Sequence, residues 1–477
     1  MTRLEVAYVV LAVLAAGAFG GISPEGHAQE AAPLSLSTAV QWADAGAPST
    51  RANRYAIDAA GRAIEQAQAE LYPRISVDGS LGYSKFETTG QQLNPQTLAF
   101  EQTTRELEQT STSYGLNVTQ PLYDRRAWKG VERAKSETEL ARTQLELTRQ
   151  ELMLRVAETY FTVLRERGNL ALAQSELEAL GVRVHQLEGR HKRGLSSRID
   201  LLDAQVRKEE VEAQVQRARN ALEAAVIELE RLVGASVRVL QAADVERVDA
   251  GELPSAETLN QWVQEAMERS PAVDVAAGRL AVQRDAIEVQ RSGHYPTVSL
   301  QARHSDTDRT DQVVSGKQTR VFLQLEVPLY AGGGVKASVD EAQARANAAQ
   351  ARLDDARRQA FVEVRRIANE LRTATRSIMV LQRSLDTAEA RAEATERALA
   401  SGLRDQVQFL EARARVFEIR RELTNAVYDR LIAQVRIDSL TGRLDPPRLE
   451  ALEQTYLTDT VVLGPVAETA PVAPRTP

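Results

Sequence analysis

The apolar and polar positions of this chain follow two rhythms, and each rhythm occurs twice. In one stretch the apolar residues fall at Leu170, Ala173, Leu177, Leu180, Val184 and Leu187, and the run stops at Gly194-Leu195. In another they fall at Ile378, Leu381, Leu385, Ala388, Ala392 and, less apolar, Thr395, and that run stops at Gly402-Leu403. Steps of three and four residues are the seam of a coiled coil. Two runs in register, with their stop glycines 208 residues apart, point to duplication of a whole structural unit. Between Asp124 and Arg193 there is no proline, and only Gly130, Gly168, Gly181 and Gly189 interrupt. A helix over this stretch would be about 105 Å long. The second copy predicts a similar helix from Val335 to Ala400. After each stop the pattern returns, over Ile199–Gly234 and Val407–Gly442, so each copy predicts a helical hairpin (124–234 and 335–442).

The second rhythm has period two. After Tyr72-Pro73, Ile75, Val77, Leu81 and Tyr83 alternate with Ser76, Asp78, Ser80 and Ser84; Tyr114, Leu116 and Val118 then alternate with Ser113, Asn117 and Thr119. After Tyr295-Pro296, Val298, Leu300 and Ala302 alternate with Ser299, Gln301 and Arg303, and Val321, Leu323, Leu325 and Val327 with Phe322, Gln324 and Glu326. These are strands, predicted over 74–84, 112–122, 297–304 and 319–329. Each copy opens on shorter helices, near Leu36 and from Asn53 to Leu71, then Ala256–Glu268 and Ala272–Ser292. No amphipathic helix is left to cover the apolar strand faces. Apolar-out, polar-in alternation is also what a water-filled barrel in lipid requires. Four strands cannot close a barrel, because open edges would leave backbone groups unpaired in hydrocarbon. Membrane-spanning strands here would therefore demand an obligate homo-oligomer.

Composition narrows the class. Only 5% of the 477 residues are aromatic, and Ala, Arg, Glu, Gln and Leu dominate the central stretches, as in long helices with thin seams. A net charge of −7 argues against a nucleic-acid partner. Arg3, the apolar run Ala7–Gly20 and Gly26-His27-Ala28 read as a signal peptide over 1–28, cleaved after Ala28. No later segment has the length of apolar chain that a transmembrane helix needs. The chain has no cysteine, so neither disulfides nor thiol chemistry enter. The five histidines, His27, His185, His191, His294 and His304, show no ligand spacing. No nucleophile, metal cluster or cofactor fingerprint is found, and no enzyme is expected. Gly332-Gly333-Gly334 lacks the Lys-Ser/Thr of a phosphate loop and reads as a tight strand-to-helix turn. The tail from 446 to 477 is rich in Pro, Ala and Thr and is expected to be partly disordered.

Four short phrases add a resemblance. Gln120-Pro121-Leu122-Tyr123 and Pro328-Leu329-Tyr330-Ala331-Gly332-Gly333 close the strand pairs. Gly194-Leu195-Ser196-Ser197-Arg198-Ile199-Asp200-Leu201-Leu202-Asp203-Ala204 and Gly402-Leu403-Arg404-Asp405-Gln406-Val407-Gln408-Phe409-Leu410-Glu411-Ala412 mark the tips. In this duplicated order, over residues 35–443, the chain resembles the TolC-like outer membrane efflux protein family. The resemblance implies a mainly α fold with a small β part, two repeats (29–250 and 251–445), and a homotrimer. The trimer would carry a twelve-stranded barrel in outer membrane lipid and an α-helical periplasmic tunnel, ringed by smaller elements including Glu252–Ser270 and the C-terminal segment. The implied function is the exit duct of a tripartite efflux pump, with a periplasmic adaptor and an inner-membrane transporter as partners. Alignment on the tip glycines places Asp200 and Arg404 where the family has an acid–base link at its gate, and Glu411 where an acid lines the constriction. Gln408 stands where a carboxylate would be, which weakens any charge ring there. The tips Gly194, Leu195, Ser196, Gly402 and Leu403 are the expected adaptor contacts. Two alternatives remain: the outer membrane component of a type I protein secretion system, and a periplasmic structural coiled coil with no channel.

Overall fold

The computed structural model describes residues 33–93, 95, 100–243, 245, 250–309, 316–457 and 459–463. The signal-peptide expectation for 1–28 lies outside the described residues, as does the tail after 463. Helices α1 (Leu36–Gly46) and α2 (Pro48–Ala69) lead into strands β1 (Arg74–Leu93) and β2 (Phe100–Asp124), then α3 (Arg125–Lys192) and α4 (Arg198–Val233). After β3 (Val239–Ala242) the order repeats as α5 (Ala256–Arg269), α6 (Pro271–Arg291), β4 (Thr297–Arg309), β5 (Gly316–Glu326), α7 (Gly334–Ala400) and α8 (Gln406–Leu440). Helix α9 (Pro446–Tyr456) and strand β6 (Asp459–Val462) follow.

Local chemistry sets these boundaries. Pro73 and Pro296 follow the ends of α2 and α6, where proline cannot continue a helix. Asp124 starts α3, its carboxylate accepting from the backbone N–H of Arg126 and Ala127 at 2.9 and 3.1 Å. At 68 and 67 residues, α3 and α7 are each about 100 Å long.

The four long strands form one antiparallel sheet in the order β1-β2-β4-β5. Pairing of β2 with β4, from Ser111↔Arg309 to Asp124↔Thr297, joins the two copies, with a bulge between Pro121 and Tyr123. One face carries Ile75, Val77, Leu81, Tyr83, Leu116, Leu300, Val321, Leu323 and Leu325, all between 40% and 78% exposed. The opposite face is polar: Asn117 donates to Asp78, Arg303 lies 3.8 Å from Asp78, and Gln301 donates to Gln324 at 2.6 Å. The β1–β2 ladder runs on to Leu93↔Phe100, well past the last rung of β2 with β4.

The helices pack in two rows. On the strand side the order is α2, α3, α6, α7; on the tip side it is α4, α3, α8, α7. The most buried region lies midway along α3, around Tyr160 and Phe161, with Tyr428, Leu431 and Val435 of α8. There the Tyr160 hydroxyl sits 2.9 Å from the carbonyls of both Leu34 and Gln241 and accepts from Gln241 N–H at 3.0 Å. It ties α3 to a small sheet in which β3 pairs with β6 on one side and bridges to Leu34 on the other. Burial pushes the Tyr160 phenol well above its ordinary value, so it stays neutral and able to donate. Helix α9 is anchored by Arg448, 2.9 Å from the buried Asp438 of α8.

Candidate functional site at the helical tips

Both hairpins turn by the same device. In the first, Leu195 N–H donates to Arg190 O at 2.9 Å and Gly194 N–H to His191 O at 2.9 Å. In the second, Leu403 N–H donates to Ala398 O at 2.9 Å and Gly402 N–H to Leu399 O at 3.1 Å. Each is a Schellman turn, which needs a left-handed residue after the helix end; Gly194 and Gly402 supply it with φ of 72° and 77°. The leucine that follows commonly packs back on the last turn of the helix. Here Leu195 is 62% and Leu403 80% exposed, so both apolar side chains are open for another surface. Ser196 donates from Oγ to Leu187 O at 3.3 Å and stabilises the first turn.

The return helices start differently. Ser197 and Asp200 form a capping box on α4: Ser197 Oγ accepts from Ile199 N–H and Asp200 Oδ2 from Ser197 N–H, both at 3.1 Å. Asp405 caps α8, accepting from Gln408 N–H at 2.8 Å. Arg404 is exposed and donates to the Gln408 side chain at 3.3 Å. Within one chain, Asp200 and Arg404 make no ion pair with each other among the described residues; each is bonded inside its own tip. Glu411 is exposed and lines an open groove of about 790 Å³ between α4 and α8, with Asp203, Arg207, Glu210, Arg415 and Glu418.

The contacts between hairpins fall on other residues. Arg183 of α3 donates to the side chain of Gln406 at the start of α8, and its guanidinium lies 4.9 Å from the Phe409 ring centroid. Burial and the neighbouring Arg190 hold its pKa below the usual arginine value. Inside the first hairpin the buried Glu176 accepts from Arg207 at 3.0 Å. Burial raises its pKa despite the opposing pull of Arg207. Arg420 and Glu389, 2.7 Å apart, join α8 to α7. In sequence these were charged residues beside a seam, the usual signature of solvated surface, and only packing of α8 against α3 sets Arg183 apart. Midway along the helices, on the face opposite Tyr160, a groove of about 1180 Å³ is crossed by Arg436–Glu158 at 2.6 Å and Arg165–Asp429 at 3.2 Å.

Neither tip holds a constellation suited to bond-making chemistry. Among the described residues no cluster suited to a metal ion occurs and no helix is long and apolar enough to cross a membrane; that second fact says nothing of the strands.

Known proteins share this arrangement. The outer membrane efflux protein family model matches residues 39–235 and 262–443. Outer membrane protein TolC of Escherichia coli (strain K12) is 27% identical over 473 residues, covering 96% of this chain and 91% of that protein. The alkaline protease secretion protein AprF of Pseudomonas aeruginosa is 26% identical over 346 residues, 72% of each. Crystal structures of CusC, described for transmembrane channel formation, superpose with a TM-score of 0.72 at 18% identity, covering 86% of this chain and 92% of that one. The match to the family extends over both repeats and both tips, and it sets aside the structural coiled-coil reading. The chain belongs to the outer membrane efflux protein family, channels of the outer membrane and not enzymes.

Proposed function

We propose that three copies of this chain close into a twelve-stranded barrel and a helical tunnel that together form the exit duct of a tripartite efflux pump. One observation carries the closure. Within the chain, α3 is flanked by α6 and α8 of the other repeat. Among the described residues its counterpart α7 packs on no helix of the first repeat as extensively, and α2 and α4, the counterparts of α6 and α8, each have a side that faces no such partner. Strands β5 and β1 likewise end the sheet, with no further strand paired to their outer edges among the described residues. An edge that fits the opposite edge of the next copy is a heterologous interface, which closes as a ring when the rotation between copies divides a full turn. The contacts between repeats are thus the template for contacts between chains. The number three comes from the family resemblance.

Lipid is the partner of the apolar sheet face. The outward run from Ile75 to Tyr83 spans nine residues, within the about 9–11 that a tilted membrane-spanning strand needs. Tyr83 stands at the end of that run, where the membrane–water interface favours aromatic rings.

At the far end, the tips are the gate and the adaptor contact. Asp200 of one hairpin and Arg404 of a neighbouring one would link across the closed tunnel, with Gln408 and Glu411 lining the constriction. Exposed ion pairs contribute only about 0–1 kcal/mol each, so a partner engaging Leu195 and Leu403 could open the ring. An inner-membrane transporter and a periplasmic adaptor complete the passage for small molecules. Polypeptide secretion is the second reading, favoured by the similarity to AprF over most of its length. Drug sensitivity of a deletion strain supports efflux, and loss of one secreted protein supports secretion. Conductance of the purified oligomer in planar bilayers, with heat-modifiable migration of unboiled samples, tests the channel itself. Recovery as a soluble periplasmic oligomer would overturn it.

A further inference from the structure

The two tips share their backbone but not their charge. Residues 190–198 contain Arg190, Lys192, Arg193 and Arg198 with no acid, besides His191. The equivalent residues 398–406 contain one arginine, Arg404, and one aspartate, Asp405. All four cations of the first tip are exposed, and none is in an ion pair among the described residues. The nearest acid beyond the turn, Asp200, is held by Ser197 N–H.

Helix termination does not account for this collar. A basic residue at a helix C-terminus complements the macrodipole, but α7 ends in the same Schellman turn with a single basic residue in its last turn. That residue, Arg397, is 3.4 Å from Glu393. Arg198 opposes the dipole outright, because it occupies the first position of α4, where a cation is unfavourable. Four mutually repelling charges therefore persist at one tip without a local partner. Within the collar stand two exposed apolar side chains, Leu195 at 62% and Ile199 at 68%.

We propose that the first tip, and not the second, is read by an acidic protein surface: a partner presenting carboxylates around a small apolar notch that takes Leu195 and Ile199. This rests on the tips being the docking end of the channel and adds the partner's chemistry. A protein fits better than an anionic membrane. Both tips end on the same kind of turn, and a lipid surface would call for a collar on each. A discrete partner can match an alternation of basic and neutral tips, and opposed charge would set its register as well as speed its encounter.

The test uses the full-length oligomer in nanodiscs and two synthetic helical hairpins. One carries four glutamates around an alanine-lined notch at its turn; the other carries four lysines there. The glutamate hairpin is expected to bind at least about tenfold more tightly, and to weaken about tenfold as salt rises from about 0.05 to 0.3 M. Arg190→Glu, Lys192→Glu and Arg193→Glu together should invert the preference, while Arg397→Glu, beside the second turn, should leave it. No preference between hairpins, including no binding by either, overturns the proposal, as does a preference that survives the triple reversal. Tighter binding of phosphatidylglycerol vesicles than of the glutamate hairpin would also overturn it and assign the collar to membrane. Conductance of the same samples separates the two levels. If the channel conducts but shows no preference, only this inference fails; if the native oligomer does not conduct, the channel reading fails.

Discussion

Arg183→Ala should unlatch the tips. Arg183 bridges the two hairpins of one chain, donating to the Gln406 side chain while stacking over Phe409. Gln406 is 4% exposed; its side-chain oxygen accepts from Arg183, and its amide nitrogen has no hydrogen-bond partner among the described residues. The substitution removes a hydrogen bond from a charged donor, about 1.5–3 kcal/mol, and a cation–π contact at a partly exposed site, about 0.5–1 kcal/mol. A loss of about 2–4 kcal/mol of coupling between hairpins would raise the opening equilibrium about 30- to 700-fold, at about 1.4 kcal/mol per tenfold. Single-channel recording in planar bilayers reads this as opening probability, and sensitivity of the host to large antibiotics reads it in cells. Arg183→Met combined with Gln406→Leu replaces both partners by apolar groups, so it should restore much of the closed state. If Arg183→Ala leaves the opening probability of an intact oligomer at the native level, the hairpins are not held together here and the reasoning fails.

Three further expectations concern separate parts of the chain. Asp200→Ala with Arg404→Ala should raise single-channel conductance; Asp200→Asn, which keeps an N-terminal acceptor on α4, separates loss of the link from loss of the cap, and unchanged conductance in the double variant removes the pair from the gate. Leu323→Arg should cost about 2–4 kcal/mol on a lipid face and abolish the heat-modifiable oligomer on gels, whereas Gln324→Arg on the opposite face should assemble; equal assembly of both refutes the assignment of faces. Glu176→Gln should flatten the fall in stability as pH rises above the ordinary carboxyl value of about 4.3. The sign follows from a carboxyl whose folded pKa is raised by burial: its contribution is present below the ordinary carboxyl value and is lost as pH rises through the folded one. Thermal unfolding of the native oligomer that is as flat in pH as that of the variant would contradict it.

The fold was legible wherever periodicity was strong. The seams at Leu170–Leu187 and Ile378–Thr395 lie inside α3 and α7, and the glycines that stop them are the turn residues. Strands β1 and β2 show where the pattern ran out. The alternation fades after Ser84 and resumes at Ser113, yet the ladder continues to Leu93↔Phe100. That extension is held by polar cross-strand pairs, Thr89 with Thr104 at 3.2 Å and Lys85 with Glu106 at 3.2 Å, which leave no apolar period to read. The end of the chain is similar: Asp445 caps α9 by accepting from Arg448 N–H at 2.9 Å, at the start of a tail rich in Pro, Ala and Thr that has no apolar period to read.

By itself the sequence determined the repeat, the two periods and the helix stops. These are properties of residues near one another in the chain: a seam needs its apolar residues every three or four positions, a strand every two, and a Schellman turn its glycine. Only the tertiary structure decided which charges matter. Arg183 meets Gln406 across 223 positions and Arg436 meets Glu158 across 278, distances at which no local pattern survives. It also decided that, among the described residues, Arg190, Lys192, Arg193 and Arg198 form no ion pair and stand exposed near Leu195. Whether a charge is solvated, paired or left waiting depends on what packs against it, and that is set by how the two hairpins lie side by side.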